Sequence, residues 1–448
     1  MALGDLVTTR KDTICALASG GLPSGVAVIR ISGPAAFDAV SALIGPLPRP
    51  RHASLRTLKS SAGDILDRGL VLTFPGPNSF TGEDCAELQV HGGRAVVNAI
   101  LRSLAGFNGV RFAEPGEFSK RALENGKMDL VEVEGLADLL AAETEMQRRL
   151  ANEQANGHLS AVYDEWREKL IYIRSMLEAE LDFSDEGDIP GSVSDRVWAE
   201  VATLKSQVDK AIGDLRAGEI IRDGFRVALA GRPNAGKSSL MNALARRDVA
   251  IVTPIAGTTR DVVRCELDIE GYKFELFDTA GIRGTVDVVE QEGIKRALRT
   301  IGDADLVLHL IDLSNPHADD VEVGARATLR IGTKSDLAIS GDPAGPELDM
   351  TLSAVSGAGL EVLRERLLDA VRQGTQVESL AIPSRLRHAE RLRSASLHLG
   401  SALEGHAMPL EIRAEDLRLA TVELARVTGR IDTETLLGKI FSEFCVGK

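Results

Sequence analysis

The chain has 448 residues, of which 44% are hydrophobic, 26% charged and only 4% aromatic, and it carries a net charge of -14. That length exceeds one ordinary core and points to two or three domains, while the acidic balance excludes a protein that coats nucleic acid by charge alone. Cys15, Cys85, Cys265 and Cys445 are scattered without a C-x-x-C pair, which excludes a disulfide scaffold or structural zinc site and leaves any thiol chemistry to a single cysteine.

Residues 1–5 lack the basic start and apolar run of a secretion signal, and no apolar stretch is long enough to span a bilayer, so a cytoplasmic location is expected. From residue 1 to 125, apolar runs at 25–31 and 69–74 alternate with turn clusters at 75–78 and 91–93, with a helical stretch at 95–104. This alternation predicts a small α+β domain. Beyond it Leu136, Leu139, Leu140, Met146 and Leu150 recur at near-helical spacing, as do Trp166, Leu170, Ile173, Leu177 and Leu181. Long amphipathic helices of a bundle follow from that period. A polar loop at 184–190 and a third helix through 197–215 complete a first helical part, 126–222.

An apolar run at 227–230 then feeds Gly231-Arg-Pro-Asn-Ala-Gly-Lys-Ser238, with a helix beginning after it. Strand, glycine-rich turn and helix in that order form a phosphate cradle. The glycines let successive backbone N–H groups point at the phosphates, Lys237 reaches the outer ones, and Ser238 offers its hydroxyl to Mg2+. Asn234, Ala235, Gly236 and Ser239 count with them as nucleotide contacts. Ile255-Ala-Gly-Thr-Thr-Arg-Asp261 supplies Thr258 and Thr259, hydroxyls that a first switch loop uses at the metal. Glu275-Leu-Phe-Asp-Thr-Ala-Gly281 is a strand ending in Asp278, suited to hold Mg2+ at second hand; Thr279 and Ala280 lead to Gly281, which can move when the terminal phosphate leaves.

Short apolar strands at 307–312 and 327–331 come next, the second leading into Thr333-Lys-Ser-Asp336. In this element, which includes Lys334, the Asp336 carboxylate accepts from guanine N1–H and the exocyclic amine, a pair of donors that adenine lacks. Thr333 stands where Asn is usual and is expected to weaken the bracing of the loop more than it changes the base. Ser353 and Ala354 fit the last guanine element in part. The phosphate cradle, the threonine loop and the strand ending in Asp278, in this order, predict a Ras-like P-loop GTPase domain over 223–375. Helical periodicity resumes through 386–403, 417–427 and from 433 onward, a second helical part over 376–448. The expected fold class is therefore multidomain α/β and α, with the GTPase inserted in a helical bundle. Two chain crossings would tie switch movements to the bundle; a tethered, independent domain is the alternative. Arg385, Arg387, Arg391 and Arg393 around Glu390 form either a grip for RNA phosphates or a solvated face.

With the inserted GTPase, Phe80-Thr-Gly-Glu-Asp84, Pro115-Gly-Glu-Phe118 and the terminal Phe444-Cys-Val-Gly-Lys448 resemble the MnmE/TrmE family of tRNA-modification GTPases over essentially the whole chain. The resemblance implies a homodimer that joins an FAD-dependent MnmG/GidA-type partner in a heterotetramer. Together they would add a carboxymethylaminomethyl-type group to C5 of the tRNA wobble uridine, using a one-carbon unit from tetrahydrofolate. It implies folate contacts at Arg30, Glu87 and Lys127, with Lys448 close by. Ile282 stands where a Ras-type enzyme has its water-orienting Gln, and an aliphatic side chain cannot position water. The resemblance gives that task to Glu290, with Glu292 as competitor. Charge neutralisation is implied to come from K+ held by the Asn234 side chain and backbone oxygens near Thr253, Ile255 and Thr258, while Thr259 and Ser238 bind Mg2+. Arg260 as an arginine finger, and Asn234 as a brace of the loop, are the alternatives.

Cys445 is the implied nucleophile of the modification, since attack at uridine C6 creates carbanion character at C5; a structural thiol beside Phe441 and Phe444 is the other reading. Two further functions compete: a ribosome-assembly GTPase that binds RNA without chemistry on it, and a nucleotide-controlled scaffold for MnmG.

Overall fold

The structure is a computed structural model that describes residues 12–182, 193–250, 264–278, 302–315, 327–338, 347–405, 408–430 and 447. Packing divides the chain into two compact units, one of Met1–Ala137 with Ala425–Lys448 and the other of Asp138–Leu424.

In the first unit, β1 (Thr13–Leu17), β2 (Ser24–Ser32), β3 (Ser54–Lys59), β4 (Ile65–Phe74), β5 (Cys85–Gly92) and β6 (Val110–Phe112) form one sheet in the order β3-β4-β5-β2-β1-β6. The pairing is antiparallel except between β1 and β6. Helices α1 (Ala36–Ile44) and α2 (Arg94–Ala105) cover one face, where Val40, Leu43, Ile100 and Leu104 meet Ile29, Ile31 and Leu88. Successive strand side chains point to opposite faces. Arg30 and Glu87, which are register partners, therefore lie on the sheet face away from α1 and α2. α3 (Glu117–Glu124) and α4 (Leu130–Ala141) follow. The α+β expectation for this part of the chain holds.

The second unit contains α5 (Glu145–Ala155), α6 (His158–Asp182) and α7 (Val193–Asp223). The near-helical run of 136–150 is not one helix, because α4 ends at Ala141 and α5 begins at Glu145. Thr144 and Gln147 make a capping box at that start, a signature present in the sequence as Thr144-Glu-Met-Gln147. α6 buries Trp166, Leu170, Ile173 and Leu177 as its period predicts. α7 extends well past the expected 197–215. Its 31 residues stop one position short of the next strand, and Gly224, at φ 108°, makes the turn. Gly218 lets α7 lie directly on the chain at 383–384: a Cβ there would stand 2.1 Å from the Pro383 carbonyl oxygen.

That strand is β7 (Phe225–Ala230), followed by α8 (Lys237–Arg247), β8 (Val249–Ala250), β9 (Arg264–Ile269), β10 (Tyr272–Asp278), β11 (Leu306–Asp312), β12 (Thr328–Thr333), β13 (Met350–Thr351) and α9 (Leu360–Gly374). The sheet order is β13-β12-β11-β7-β10-β9-β8. β7 through β13 on one side and β10 on the other pair in parallel, while β9 and β8 close the edge antiparallel. A parallel strand covered on both faces reads as a continuous apolar run, and residues 227–230 are all buried. Leu240 and Leu244 of α8 and Leu363 and Leu367 of α9 share this core. α10 (Leu386–Glu404) packs along α7. α11 (Leu410–Val427) begins earlier than the expected 417, and the helix expected from 433 onward lies outside the described residues.

Candidate functional site

The loop after β7 needs glycine where the backbone crosses β11. At Gly231, φ 140°, a Cβ would lie 2.5 Å from the Leu310 carbonyl oxygen. Asn234 and Gly236 also take positive φ, 64° and 92°, and α8 starts at Lys237. The N–H groups of a helix's first turn point out along its axis, an arrangement suited to an anion. Lys237 is buried, its ammonium donating to the carbonyls of Gly231 at 2.7 Å and Arg232 at 2.8 Å. Ser238 donates through its hydroxyl to Oδ2 of the buried Asp278, at 3.2 Å. Two motifs 40 positions apart thus meet at one point.

The base element closes on the same loop. Thr333 is buried, and its hydroxyl donates to the Ala235 carbonyl at 2.7 Å, with Ile311 O at 3.2 Å. The Thr333 hydroxyl thus ties the end of β12 to the phosphate loop through one bond. Lys334, at φ 56°, turns its ammonium to Asp312 Oδ2 at 2.6 Å. Burial would raise the Asp312 carboxyl, but the bonds from Lys334 and Ser314 hold it below the usual carboxylate range. Asp336 is exposed in the short turn Ser335–Leu337. The Ser335 N–H donates to Leu352 O at 3.1 Å, which joins this turn to the segment of Ser353 and Ala354. Ser353 is fully buried and accepts from the Ser356 N–H. Asn234 and Ser239 are exposed on the rim of the cradle.

Thr253, Ile255, Thr258, Thr259, Arg260, Thr279, Ala280, Gly281, Glu290, Glu292, Cys445 and Lys448 lie outside the described residues. Of the other cysteines, burial pushes the Cys15 thiol up to about 11 and raises Cys265, where Glu266 adds to the effect. Both are therefore poor sources of thiolate.

Arg30, Glu87 and Lys127 come together in the first unit at a cavity of 570 Å3 that also has Arg51, Phe74 and Phe80 in its walls. Two guanidinium N–H groups of Arg30 converge on Glu87 Oε1, at 2.9 and 3.0 Å, and the guanidinium stacks 5.1 Å from the Phe80 ring centre. Arg51 was not foreseen as a site residue. Its backbone takes a left-handed φ of 61°, and the side chain bonds to Asn78 O and lies 5.6 Å from the centre of Phe74. Non-glycine residues at positive φ are uncommon and mark places to inspect, but no sequence pattern announces this one. Gly447 is seated in the same unit against β1: at φ 111°, a Cβ on it would meet Leu17 O at 2.1 Å.

A strand, glycine-rich loop and helix on a mainly parallel sheet, bonded to Asp278 and to Thr333 at the end of β12, define a Ras-like P-loop GTPase domain. Family models extend the match to the rest of the chain: one described as GTP-binding protein TrmE N-terminus matches residues 13–127, and the MnmE helical domain matches residues 130–445. The protein named tRNA modification GTPase MnmE from Rhizobium johnstonii is 54% identical over 98% of this chain and 99% of its own. Those of Sinorhizobium medicae and Agrobacterium fabrum are 54% and 52% identical over the same shares. The chain belongs to the MnmE family of tRNA modification GTPases. Among solved structures, the G domain of the T. maritima FeoB iron transporter is 26% identical over 33% of this chain and 98% of its own, with a TM-score of 0.24.

Proposed function

We propose that this chain, by its family a GTP hydrolase acting in tRNA modification, is a K+-dependent cytoplasmic homodimer that works in a heterotetramer with an FAD-dependent MnmG-type partner. The pair would add a carboxymethylaminomethyl-type group to C5 of the tRNA wobble uridine. Residues 1–125 would be the folate-binding and dimerisation domain, 126–222 and 376–448 the helical domain, and 223–375 the GTPase domain.

The observation that carries the folate part is the donor set of the 570 Å3 cavity. Glu87 can accept from the donor edge of a pterin, Phe74 and Phe80 offer flat apolar walls, and Arg30, Arg51 and Lys127 suit an anionic tail. A tetrahydrofolate derivative bound there would supply the one-carbon unit. The seat of Gly447 on β1, beside the strand that bears Arg30, supports bringing the carboxy-terminal Cys445 and Lys448 to this region. Cys445 is then the candidate nucleophile toward uridine C6.

In the GTPase part, Lys237 and the N–H groups at the start of α8 hold the phosphates, Ser238 and Thr259 hold Mg2+, and Asp336 reads the base. Asn234, exposed on the rim of the cradle, would hold K+ through its side-chain oxygen together with Thr253, Ile255 and Thr258. Glu290 would orient the attacking water.

Nucleoside mass spectrometry on tRNA from cells lacking the protein tests the reading. The C5-modified wobble uridine is expected to disappear, to return with the wild type, and to stay absent with Cys445→Ser. An unchanged nucleoside on deletion, with no redundant enzyme, would sink the wobble-uridine assignment.

A further inference from the structure

A second cavity, of 660 Å3, lies away from the phosphate loop, where the β9–β10 hairpin meets the helical part of its own unit; Glu143, Gln147, Arg222, Arg264, Lys273 and Glu275 are among its walls. The hairpin turn, Glu270 and Gly271, has two positive φ angles, 50° and 85°. Its Gly271 carbonyl accepts from the Met146 N–H at 3.0 Å, one of the donors that the first turn of α5 leaves open. The fit is close, because a Cβ on Gly271 would stand 3.1 Å from Glu145 Cβ.

Charges continue the contact. Lys273 on β10 donates to Glu143 just before α5 at 2.8 Å and pairs with Glu266 on β9 at 2.8 Å. Arg264 bridges Glu266 and Glu275, and Arg226 on β7 completes the row at 3.8 Å from Glu275. An alternating chain of charges therefore runs from the strand that feeds the phosphate loop to the start of a helix outside the GTPase sheet.

The two strands of the hairpin lead to both phosphate-sensing motifs. β9 begins directly after the segment that carries Thr258 and Thr259, and β10 ends at Asp278, the acceptor of the Ser238 hydroxyl. A twist imposed at either motif is carried along paired strands to the turn. There the described link to α5 is one backbone hydrogen bond and an ion pair beside a cavity, so it can rearrange without opening an apolar core.

We infer that the seat of the β9–β10 turn on α5, made by Gly271 and the Lys273–Glu143 pair, is the positioning contact through which nucleotide state reaches the helical part of the chain and, from there, tRNA modification. This rests on GTP hydrolysis in tRNA modification and is independent of the potassium, folate and partner readings.

The test uses the full-length protein as wild type, Glu143→Gln and Gly271→Ala. Three quantities are read: GTP hydrolysis, restoration of the modified wobble nucleoside in deleted cells, and hydrogen exchange of the Met146 amide with GDP or a non-hydrolysable GTP analogue bound. Both variants are expected to hydrolyse GTP within about threefold of the wild type yet restore about a tenth or less of the nucleoside. The wild-type Met146 amide is expected to exchange about tenfold differently in the two states, a difference that Glu143→Gln removes. Normal modification by both variants, a parallel loss of hydrolysis and modification, or equal exchange in both wild-type states overturns the inference. Glu143→Gln changes an exposed carboxylate and carries the test alone if Gly271→Ala does not fold. Should the wild type itself restore no modified nucleoside, the wobble-uridine reading fails while the exchange comparison still decides this one.

Discussion

Thr333 joins the base element to the phosphate loop with a single hydroxyl, so removing that oxygen while keeping the shape of the side chain isolates the brace. Thr333→Val leaves the buried Ala235 carbonyl without this donor, a loss of about 1–3 kcal/mol. Titration calorimetry is expected to show GDP affinity lowered by about tenfold, with Thr333→Ser close to the wild type; an unchanged Thr333→Val would mean the bond contributes nothing to nucleotide binding. The strand, loop and helix that carry Lys237 and Ser238 were legible in the sequence because that motif fixes the local backbone. The contact of Thr333 with Ala235 was not, since it joins positions 98 apart and depends on the register that sets the end of β12 level with Asp312 of β11. Arg51 was hidden for a related reason. Its place in the cavity wall follows from one left-handed backbone angle, which short-range sequence pattern does not encode.

The helices show where periodicity suffices and where it misleads. α6 reads correctly because one apolar stripe runs its whole length, whereas the 136–150 run keeps a helical period across two helices, and only the Thr144–Gln147 cap reveals the break. In α7 the apolar stripe is legible, but the close approach at Gly218 is not. Alanine inside a helix ordinarily gains about 1 kcal/mol over glycine, which argues for a more stable Gly218→Ala. The Pro383 carbonyl, 2.1 Å from the new Cβ, reverses the sign, since a backbone group cannot step aside as a flexible side chain can. Overpacking of this kind costs about 1–3 kcal/mol or more. Chemical denaturation is expected to show Gly218→Ala less stable than the wild type, and a gain in stability would show that α7 and the 383–384 segment separate freely.

Across the whole molecule, the proposed charge neutralisation by K+ depends on two GTPase parts meeting. The hydrolysis rate per protein molecule in K+ should rise with protein concentration and exceed that in Na+ by about tenfold or more, the order expected when transition-state charge is left uncompensated. Equal rates in the two salts would remove K+ from the mechanism. The insertion itself was visible in the sequence as helical period on both sides of a phosphate loop. Its mechanical form was not, because nothing in residues 197–215 shows that α7 continues to Asp223. A 31-residue helix is rooted one residue from the strand that feeds the cradle. At 1.5 Å per residue such a rod is about 46 Å long, so a rotation of about 5° at Gly224 would sweep its far end through about 4 Å. Any turn of the backbone at Gly224 would therefore be magnified along α7, from the end of β7 that lies opposite the phosphate loop.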